Sequence, residues 1–427
     1  MHIFFSAIGG TAIGPLALIA KQAGYQVSGS DKQDSDYIKY LRSHGIDNIN
    51  IGQSKDQIDQ VNSKNPIDWY VYSSAVAIEN PNSPEFQFVK EKHIKSTKRD
   101  QLLNHIIKEK NLKLIAIAGT HGKTTTTAMT IWVLKQLKIP VSYSVGAKIG
   151  FGEMGEFNPD AKYFVYEADE FDRNFLNFKP HISIISGIDY DHPDIYPTRD
   201  EYYQAFRQFI NQSSTTYIWK EDATKLNINP SDKLFVLNKE NCASIAQRLP
   251  GKVNREDAQI VANALSRIED SHDIKQLSDV LNEFPGVSRR FEKISQNIYS
   301  DYAHTPEKIR GAIQIAQELA GNNFVVVYEG LHNTRQHFIK QELKHLFDDA
   351  KITYIVPSYL AREDESLELL TPQKLAKHLA NPDNAVPSEL NDDLKTMISQ
   401  HAKNGDLVLC LSAGGGGSLD EWLRREF

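Results

Sequence analysis

Apolar and polar positions alternate along the first hundred residues in short runs that predict strands followed by helices. Apolar runs at His2–Phe5, Tyr25–Ser28 and Trp69–Ser73 are strand-like. Residues Ile13–Ala23 and Asp36–His44 are helix-like. Strands that alternate with helices favour an open parallel sheet with helices on both faces.

The same alternation continues after a connecting segment around Ser96–Asp100, which leads into a helical stretch ending near Lys110. A second strand-and-helix region follows, with a helix predicted at Thr124–Leu137 and a helix-rich stretch from about 254 to 282. Its strands are predicted at Lys113–Ala118, Tyr163–Tyr166 and His181–Ser186.

A third α/β region is indicated after Phe284-Pro285-Gly286, where proline and glycine interrupt the pattern. It contains a predicted helix at Pro306–Leu319. Its strands are predicted at Asn297–Asp301, Asn323–Tyr328, Ile352–Val356 and Asp406–Leu411. Because 427 residues exceed one ordinary core, we expect three domains, at 1–105, 106–284 and 285–427.

Composition and charge narrow the class of protein. The chain is 40% hydrophobic and 24% charged, with a formal net charge of -7, which argues against a nucleic-acid-binding surface. Its two cysteines, Cys242 and Cys410, have no metal-ligand spacing and are expected to be buried thiols. The first residues have no basic leader, and no apolar run is long enough to span a bilayer. We therefore expect a cytoplasmic protein without nucleic-acid or membrane partners.

A phosphate-binding loop is predicted between the strand Lys113–Ala118 and the helix that follows it. The segment Gly119-Thr120-His121-Gly122-Lys123-Thr124-Thr125 places two glycines where backbone must approach phosphates closely. Lys123 would lie along the β- and γ-phosphates of a nucleotide, and Thr124 would present its hydroxyl to the accompanying Mg²⁺. The loop has two residues between its glycines instead of four, so it is a shortened variant of the general pattern.

The N-terminal turn, residues 7–14, has the layout of a dinucleotide or nucleotide-sugar cradle. It follows a strand and opens a helix, with Gly9 and Gly10 at the pyrophosphate. The next strand ends at Ser30 and Asp31, which would lie near a ribose. This turn alone is also compatible with a nicotinamide-dependent dehydrogenase, or with a turn that binds nothing.

Acidic residues follow two of the buried-looking strands. Glu167-Ala168-Asp169-Glu170 ends one strand, and Asp189–Asp194, which includes His192, comes just beyond another. Carboxylates beside a phosphate loop are what a magnesium–phosphate site requires. Later in the chain, Arg289-Arg290 and the strand end at Asp301 suggest charge neutralisation and a ribose contact. The run Gly414–Ser418 is interpreted as a simple turn.

Together these segments resemble the Mur ligases, ATP-dependent enzymes that add amino acids to the peptidoglycan precursor. The resemblance rests on the phosphate loop, Glu167–Glu170, Asp191–Asp194 and Asp301-Tyr302-Ala303-His304-Thr305-Pro306, in the family's order along nearly the whole chain. It implies a three-domain α/β fold, with a Rossmann-like N-terminal domain, a central P-loop ATPase domain with a parallel sheet, and a Rossmann-like C-terminal domain. It also implies a ligase of cell-wall biogenesis that uses ATP and Mg²⁺ and acts as a monomer or weak homodimer.

The resemblance assigns roles to individual residues of this chain. The expected catalytic residues are Lys123, Glu167 and His192, and the expected metal ligands are Thr124, Glu167 and His192. ATP would be bound by Gly119, Thr120, His121, Gly122, Lys123, Thr124, Thr125, Asn254, Arg289, Arg290 and Asp301. Substrates would be bound by Gly9, Gly10, Ser30, Asp31, Ser73, Ser74, His304 and Arg335.

Within the family, the pattern is most similar to the branch that joins L-alanine to UDP-N-acetylmuramate. Val71–Ala75, with Asn80-Pro81 after it, resembles the sugar-nucleotide loop of that branch. Some positions differ from it: alanine stands at Ala7 and Ala12 instead of glycine, and residues 251–257 keep Asn254 of the adenine-side motif but replace its flanking histidine and second asparagine.

The residues expected to contact the incoming amine also differ from the alanine-adding branch. His332 replaces the first of two arginines, and only Arg335 remains. Glu329 and Asn333-Thr334 are similar to the recycling branch, which joins a ready-made tripeptide to the same sugar nucleotide. The amine acceptor therefore stays open at this point.

Overall fold

The computed structural model describes residues 1–192, 195–240, 245–268, 273–360, 363–364, 366–412 and 417–427. Contacts between elements divide them into two compact units, one formed by residues 1–245 with 257–284 and the other by residues 246–256 with 285–427. Cys242, the Pro193-Asp194 part of the second acidic motif, and Gly414–Gly416 of the expected simple turn lie outside the described residues. No helix in the described part of the chain is long and apolar enough to cross a membrane.

The first unit begins with a five-stranded parallel sheet in the order β3-β2-β1-β4-β5. Its strands are β1 (His2–Ser6), β2 (Gln26–Asp31), β3 (Ile49–Ile51), β4 (Trp69–Tyr72) and β5 (Lys95–Lys98). The helices between and after them are α1 (Ile13–Gln22), α2 (Asp36–Ser43), α3 (Lys55–Lys64), α4 (Ser74–Glu79), α5 (Pro84–Glu91) and α6 (Arg99–Glu109). The alternation predicted for this region is confirmed.

The strand β5 was expected to be part of a connection. Its sequence Lys-Ser-Thr-Lys has no apolar residue, and the strand lies at the edge of the sheet beside β4. Charged edge strands are a common way to avoid further pairing. This explains why the hydrophobic pattern did not mark it as a strand.

The first unit continues with a seven-stranded sheet in the order β12-β11-β10-β6-β9-β7-β8, parallel except for the β7–β8 pair. Its strands are β6 (Lys113–Ala118), β7 (Val141–Ser144), β8 (Gly155–Glu156), β9 (Tyr163–Glu167), β10 (Ile182–Ile185), β11 (Thr215–Trp219) and β12 (Leu234–Leu237). Its helices are α7 (Lys123–Gln136), a 3-10 helix (Phe171–Asn177), α8 (Arg199–Asn211), α9 (Lys220–Lys225), α10 (Lys252–Leu265) and α11 (Ile274–Leu281). The first residues of α10, up to 256, belong to the second unit by their contacts. The strand that leads into the phosphate loop, β6, is flanked by β9 and β10.

One apolar cluster connects the two sheets of the first unit. It contains Ile3 and Leu16 from the first sheet and its helix, Leu102 from α6, and Tyr166 and Phe175 from the second region. All five side chains are almost completely buried. Burial across this boundary explains why the two sheets form one compact unit.

The second unit contains a six-stranded sheet in the order β13-β14-β18-β15-β16-β17, in which only the β13–β14 pair is antiparallel. Its strands are β13 (Glu292–Ser295), β14 (Ile298–Asp301), β15 (Phe324–Leu331), β16 (Thr353–Tyr359), β17 (Ala385–Pro387) and β18 (Leu407–Leu411). Its helices are α12 (Pro306–Ala320), α13 (Asn333–Leu343), α14 (Pro372–His378), a 3-10 helix (Pro382–Asn384), α15 (Asp392–Lys403) and α16 (Leu419–Glu426). Apolar clusters cover both faces of this sheet, and Cys410 is a buried thiol as expected.

Candidate active site

The loop between β6 and α7 has the backbone geometry expected of a phosphate cradle. Gly119 has φ +149°, and a Cβ added there would lie 2.5 Å from the Ser186 hydroxyl oxygen. Gly122 has φ 77° and is the residue before α7, with no side chain capping that helix. The first amides of α7 therefore have no side-chain acceptor, which is the arrangement that binds anions.

Lys123 is the first residue of α7 and is held by a buried carboxylate. Its Nζ donates to both carboxylate oxygens of Glu170, at 2.7 and 2.9 Å, and to the Gly119 carbonyl at 2.6 Å. The Glu170 side chain is only 2% exposed. Burial alone would lower the pKa of Lys123, but Glu170 and the neighbouring Asp169 raise it above the ordinary value. The ammonium therefore stays charged at the loop.

Thr124 and Glu167 place oxygen atoms side by side next to Lys123. The Thr124 hydroxyl donates to Glu167 Oε1 at 2.8 Å, and the Gly146 amide donates to Glu167 Oε2 at 2.7 Å. A Cβ on Gly146 would lie 2.8 Å from that oxygen, so glycine is required for this approach. Oxygen donors of this kind fit Mg²⁺. Among the described residues, however, no group of three or more His, Cys, Asp or Glu side chains is arranged as a metal site.

His192 lies on the other side of this cluster. Its Nε2 is 3.9 Å from Glu170 Oε1 and 4.0 Å from Asp191 Oδ2, and its ring packs edge-on against Phe171. Its backbone has φ 57°, a left-handed conformation that is unfavourable for a histidine. The structure thus places His192 beside Glu170, the carboxylate that holds Lys123.

The remaining loop residues contact the chain that follows β10. The Thr120 amide donates to the Gly187 carbonyl at 2.7 Å, and His121 Nε2 lies 3.2 Å from Asp189 Oδ2. His121, together with Lys225, lowers the pKa of Asp189 to about 2. The Asp189 carboxylate therefore stays negatively charged beside the loop near neutral pH.

A cavity of about 400 Å³ lies over the carboxyl ends of the first sheet. Gly10, Asp31, Ser73 and Ser74 line it. Asp31 Oδ2 accepts a hydrogen bond from the Gly9 amide at 2.8 Å, which ties β2 to the glycine turn. Five of the predicted substrate-binding residues, these four and Gly9, are therefore brought together.

Two other residues of this region have arrangements that the sequence did not predict. Ser30 is buried, and its hydroxyl donates to the buried carboxylate of Glu85 at 2.5 Å. Ala7 has φ 55°, a left-handed conformation that glycine adopts without strain. The alanine at this position therefore stores strain beside the cavity.

A second cavity, of about 210 Å³, lies at the phosphate loop. Lys123, Glu167 and Gly146 line it, so the lysine and one of the expected metal ligands, Glu167, face the same space. No motif singled out Gly146 or assigned Glu170 a role by itself. A strand ending in three acids next to a phosphate loop was the available signal for Glu170.

In the second unit, Asp301 at the end of β14 is surrounded by basic residues. Its Oδ2 accepts from the Phe291 amide at 2.7 Å. Burial raises the pKa of Asp301 to about 6, against the opposing charge of Arg290. Arg289 and Arg290 both pack on the Tyr302 ring, with guanidinium-to-centroid distances of 4.5 and 5.3 Å. The arginines and Asp301 are thus close together, as expected.

His304 lies on the loop after β14, and Arg335 lies in the first turn of α13, the helix that follows β15. His304 is 7% exposed, and burial lowers its pKa well below the usual range, with the charges of Lys308 and Arg335 acting in the same direction. Its imidazole is therefore neutral. Asn254, at the start of α10, belongs to this same unit by its contacts, and its side chain donates to the Pro250 carbonyl at 2.7 Å.

Two of the residues that distinguish this chain from the alanine-adding branch, His332 and Thr334, lie beside an acidic side chain. His332 Nδ1 lies 3.7 Å from Glu363 Oε1, and the Thr334 amide and hydroxyl donate to Glu363 Oε2 at 2.9 and 3.2 Å. Glu329 is buried and accepts from the Ser412 hydroxyl at 3.0 Å. Sequence reasoning did not identify Glu363, which is 29 residues from Thr334 along the chain.

Comparison with known proteins identifies the three regions. Residues 2–111 match the model described as Mur ligase family, catalytic domain, residues 117–264 match the Mur ligase middle domain, and residues 289–414 match the Mur ligase, glutamate ligase domain. A protein of Agathobacter rectalis named UDP-N-acetylmuramate–L-alanine ligase is 29% identical, over 97% of this chain and 95% of that protein.

Two solved structures have the same fold. The UDP-N-acetylmuramate–alanine ligase MurC of Thermotoga maritima is 25% identical, with a TM-score of 0.78 over 100% of this chain and 98% of that one. A murein peptide ligase of Psychrobacter arcticus is 22% identical, with a TM-score of 0.63 over 97% of this chain and 96% of that one, and it supports the fold alone. The predicted three-domain α/β architecture is confirmed, and the chain belongs to the Mur ligase family.

Proposed function

We propose that this chain is an ATP-dependent ligase that joins L-alanine to UDP-N-acetylmuramate in the synthesis of the peptidoglycan precursor. The observation that carries the proposal is the placement of Lys123, Thr124, Glu167 and Glu170 around one phosphate loop. Similar proteins that are named for this reaction, and that align over almost the whole chain, support the choice of substrates. A dehydrogenase would leave this loop without a role.

The chemistry requires a carboxylate to be made reactive toward an amine. The lactyl carboxylate of the sugar nucleotide takes the γ-phosphoryl group of ATP, ADP leaves, and the amine of L-alanine then displaces phosphate to form the amide. Lys123 and the first amides of α7 stabilise the negative charge that spreads over the phosphoryl oxygens. Glu170 keeps the Lys123 ammonium at the loop before nucleotide arrives.

Mg²⁺ is proposed as the metal, held by Thr124, Glu167 and His192, with His192 acting as a neutral imidazole. When bound, it would neutralise charge on the phosphoryl oxygens. The hydroxyl and carboxylate oxygens of Thr124 and Glu167, 2.8 Å apart, fit this ion.

The other roles proposed for individual residues follow from the same assignment. The glycine loop and Asn254, Arg289, Arg290 and Asp301 are proposed to bind ATP. Gly9, Gly10, Ser30, Asp31, Ser73 and Ser74 are proposed to bind the sugar nucleotide, and His304 and Arg335 the amino acid. We also propose domains at 1–105, 106–284 and 285–427, and a cytoplasmic monomer or weak homodimer.

The test measures ADP release with Mg²⁺-ATP, UDP-N-acetylmuramate and either L-alanine or the murein tripeptide, and identifies the product by mass. We expect stoichiometric ADP only when sugar nucleotide and L-alanine are both present. Product with the tripeptide alone would instead favour the recycling reaction, consistent with Glu329 and Asn333-Thr334.

Lys123→Ala is expected to abolish ADP release and to leave binding of the sugar nucleotide largely unchanged. The matched control is Lys135→Ala, which removes a lysine from the same helix where it pairs with Glu156 at 2.8 Å. Wild-type turnover in Lys123→Ala would refute the assignment of this loop.

A further inference from the structure

Arg99 stands where the two cavities of the first unit meet. It is the first residue of α6, and it lines both the cavity of about 400 Å³ over the first sheet and the cavity of about 210 Å³ at the phosphate loop. Thr11 and Ala12, from the N-terminal glycine turn, are the other two residues that line both cavities. The cavities therefore adjoin, and the guanidinium is part of their common wall.

The two cavities differ in the chemistry of their walls. The larger has the residues proposed for a nucleotide sugar, including Gly10 and Asp31, whereas the smaller has Lys123 and Glu167. A carboxylate attached to the sugar must reach the phosphoryl group at the loop before they can react. Two anions approach each other along this path, and Arg99 is the cationic side chain common to both cavity walls.

The guanidinium is positioned by two acidic neighbours, Asp100 and Asp169, which line the smaller cavity. One terminal nitrogen, Nη2, donates to Asp169 Oδ2 at 3.2 Å, and Nε is 4.0 Å from Asp100 Oδ1. The Arg99 side chain is 19% exposed, so it has little freedom to turn away into solvent. A guanidinium has five N–H donors in a planar fork, and the bond to Asp169 uses one of them.

We propose that Arg99 binds the carboxylate of the sugar nucleotide and holds it at the entrance to the phosphate loop, so that it faces the phosphoryl group beside Lys123. A guanidinium binds a carboxylate through two parallel hydrogen bonds, which fix direction as well as distance. It also reduces the repulsion between the carboxylate and the phosphates. This role rests on the proposed function, and it makes Arg99 a catalytic residue outside the motifs that carry the family resemblance.

The test compares two sugar nucleotides that differ by the lactyl group, UDP-N-acetylmuramate and UDP-N-acetylglucosamine. Their dissociation constants are measured by calorimetry, without ATP, for the wild type, Arg99→Gln and Arg99→Lys. We expect Arg99→Gln to weaken binding of the muramate about tenfold or more and to leave binding of the glucosamine within about twofold. Arg99→Lys keeps the charge but lacks the fork, and should be intermediate.

Turnover provides the second measurement. In Arg99→Gln we expect kcat to fall by about 10²–10³-fold, the usual effect of removing one donor that stabilises developing charge. The matched control is Arg207→Gln. Arg207 belongs to the same unit and pairs with Asp200 at 3.0 Å, but it lines neither cavity. Arg207→Gln is expected to keep wild-type binding and turnover.

Each other outcome is informative. If Arg99→Gln weakens binding of both sugar nucleotides equally, the residue only ties α6 to the segment after β9 through Asp169, and the proposal is wrong. An unchanged preference for the muramate in Arg99→Gln also overturns it. If the wild type binds neither sugar nucleotide and releases no ADP, the proposed function fails, which is a different result from a failure at Arg99 alone.

Discussion

The buried pair between Lys123 and Glu170 allows a quantitative test of how the phosphate loop is held. Substituting Glu170→Gln keeps the shape and one oxygen acceptor but removes the negative charge. Removing one partner of a buried ion pair costs about 3–5 kcal/mol, because the other charge stays buried. The Gly119 carbonyl continues to accept from Lys123, so we expect a loss at the lower end, about 3 kcal/mol.

The first unit contains a second lysine–glutamate pair that serves as a control. Lys135 and Glu156 are 2.8 Å apart, almost the same separation as the 2.7 Å of Lys123 and Glu170. The Glu156 side chain is 32% exposed, however, against 2% for Glu170. Because exposed pairs contribute at most about 1 kcal/mol, Glu156→Gln should have a small effect.

Urea unfolding followed by tryptophan fluorescence measures both variants. Three of the four tryptophans, Trp69, Trp132 and Trp219, lie in the first unit, so the signal reports mainly on its unfolding. We expect a difference of about 2 kcal/mol between the two variants, at an unchanged slope with urea. Equal losses for the two variants would refute the reasoning that burial, not separation, determines the contribution of these pairs.

Three further substitutions test the backbone and a buried carboxyl group. Ala7→Gly should stabilise the protein by about 1 kcal/mol in thermal or urea unfolding, since Ala7 has φ 55°; Ala12→Gly, at φ -103°, should not stabilise it. Gly119→Ala should abolish ATP-dependent ADP release, because its Cβ would overlap neighbouring atoms, whereas a Cβ at Gly150 has nothing within 4 Å and Gly150→Ala should be active. The pKa of Asp301, raised by burial from 3.8 to about 6, means that its stabilising contribution is full below pH 3.8 and is lost as pH rises through about 6. Relative to Asp301→Asn, the wild type should therefore lose up to about 3 kcal/mol of unfolding free energy across this range, measured by urea unfolding at each pH. A constant difference across that range would contradict the assigned pKa.

The parts of the site that lie within one strand–loop–helix segment were predictable from sequence. The run Lys113–Ala118 is wholly apolar after its first residue, and the glycines that follow allow a close turn, so the strand and its loop were identified together. Glu167 was identified because it ends a buried strand, and the sheet order then places β9 directly beside β6. Parallel strands with carboxyl ends at one edge make such predictions possible.

Contacts between distant segments were not predictable in the same way. Arg99 and Asp169 are 70 residues apart, and a Lys-Arg-Asp sequence before a helix is ordinary surface composition. Likewise, β5 has no hydrophobic pattern, and Glu363 becomes a neighbour of Thr334 only after β16 has formed. Sequence periodicity reports which face of an element is buried, but not which partner it meets.

Several loop residues near the candidate site have left-handed backbone conformations that are unfavourable for residues other than glycine. Ala7, His192, Arg289 and His332 all have φ between 51° and 59°, and each lies on a loop at or next to residues proposed to bind substrates or metal. Non-glycine residues in this conformation cost roughly 1–2 kcal/mol each relative to the right-handed region. That cost is tolerated only where neighbouring contacts fix the loop, as the packing of Phe171 on His192 does. At His192, packing of this kind therefore stabilises a backbone conformation that the sequence pattern does not predict.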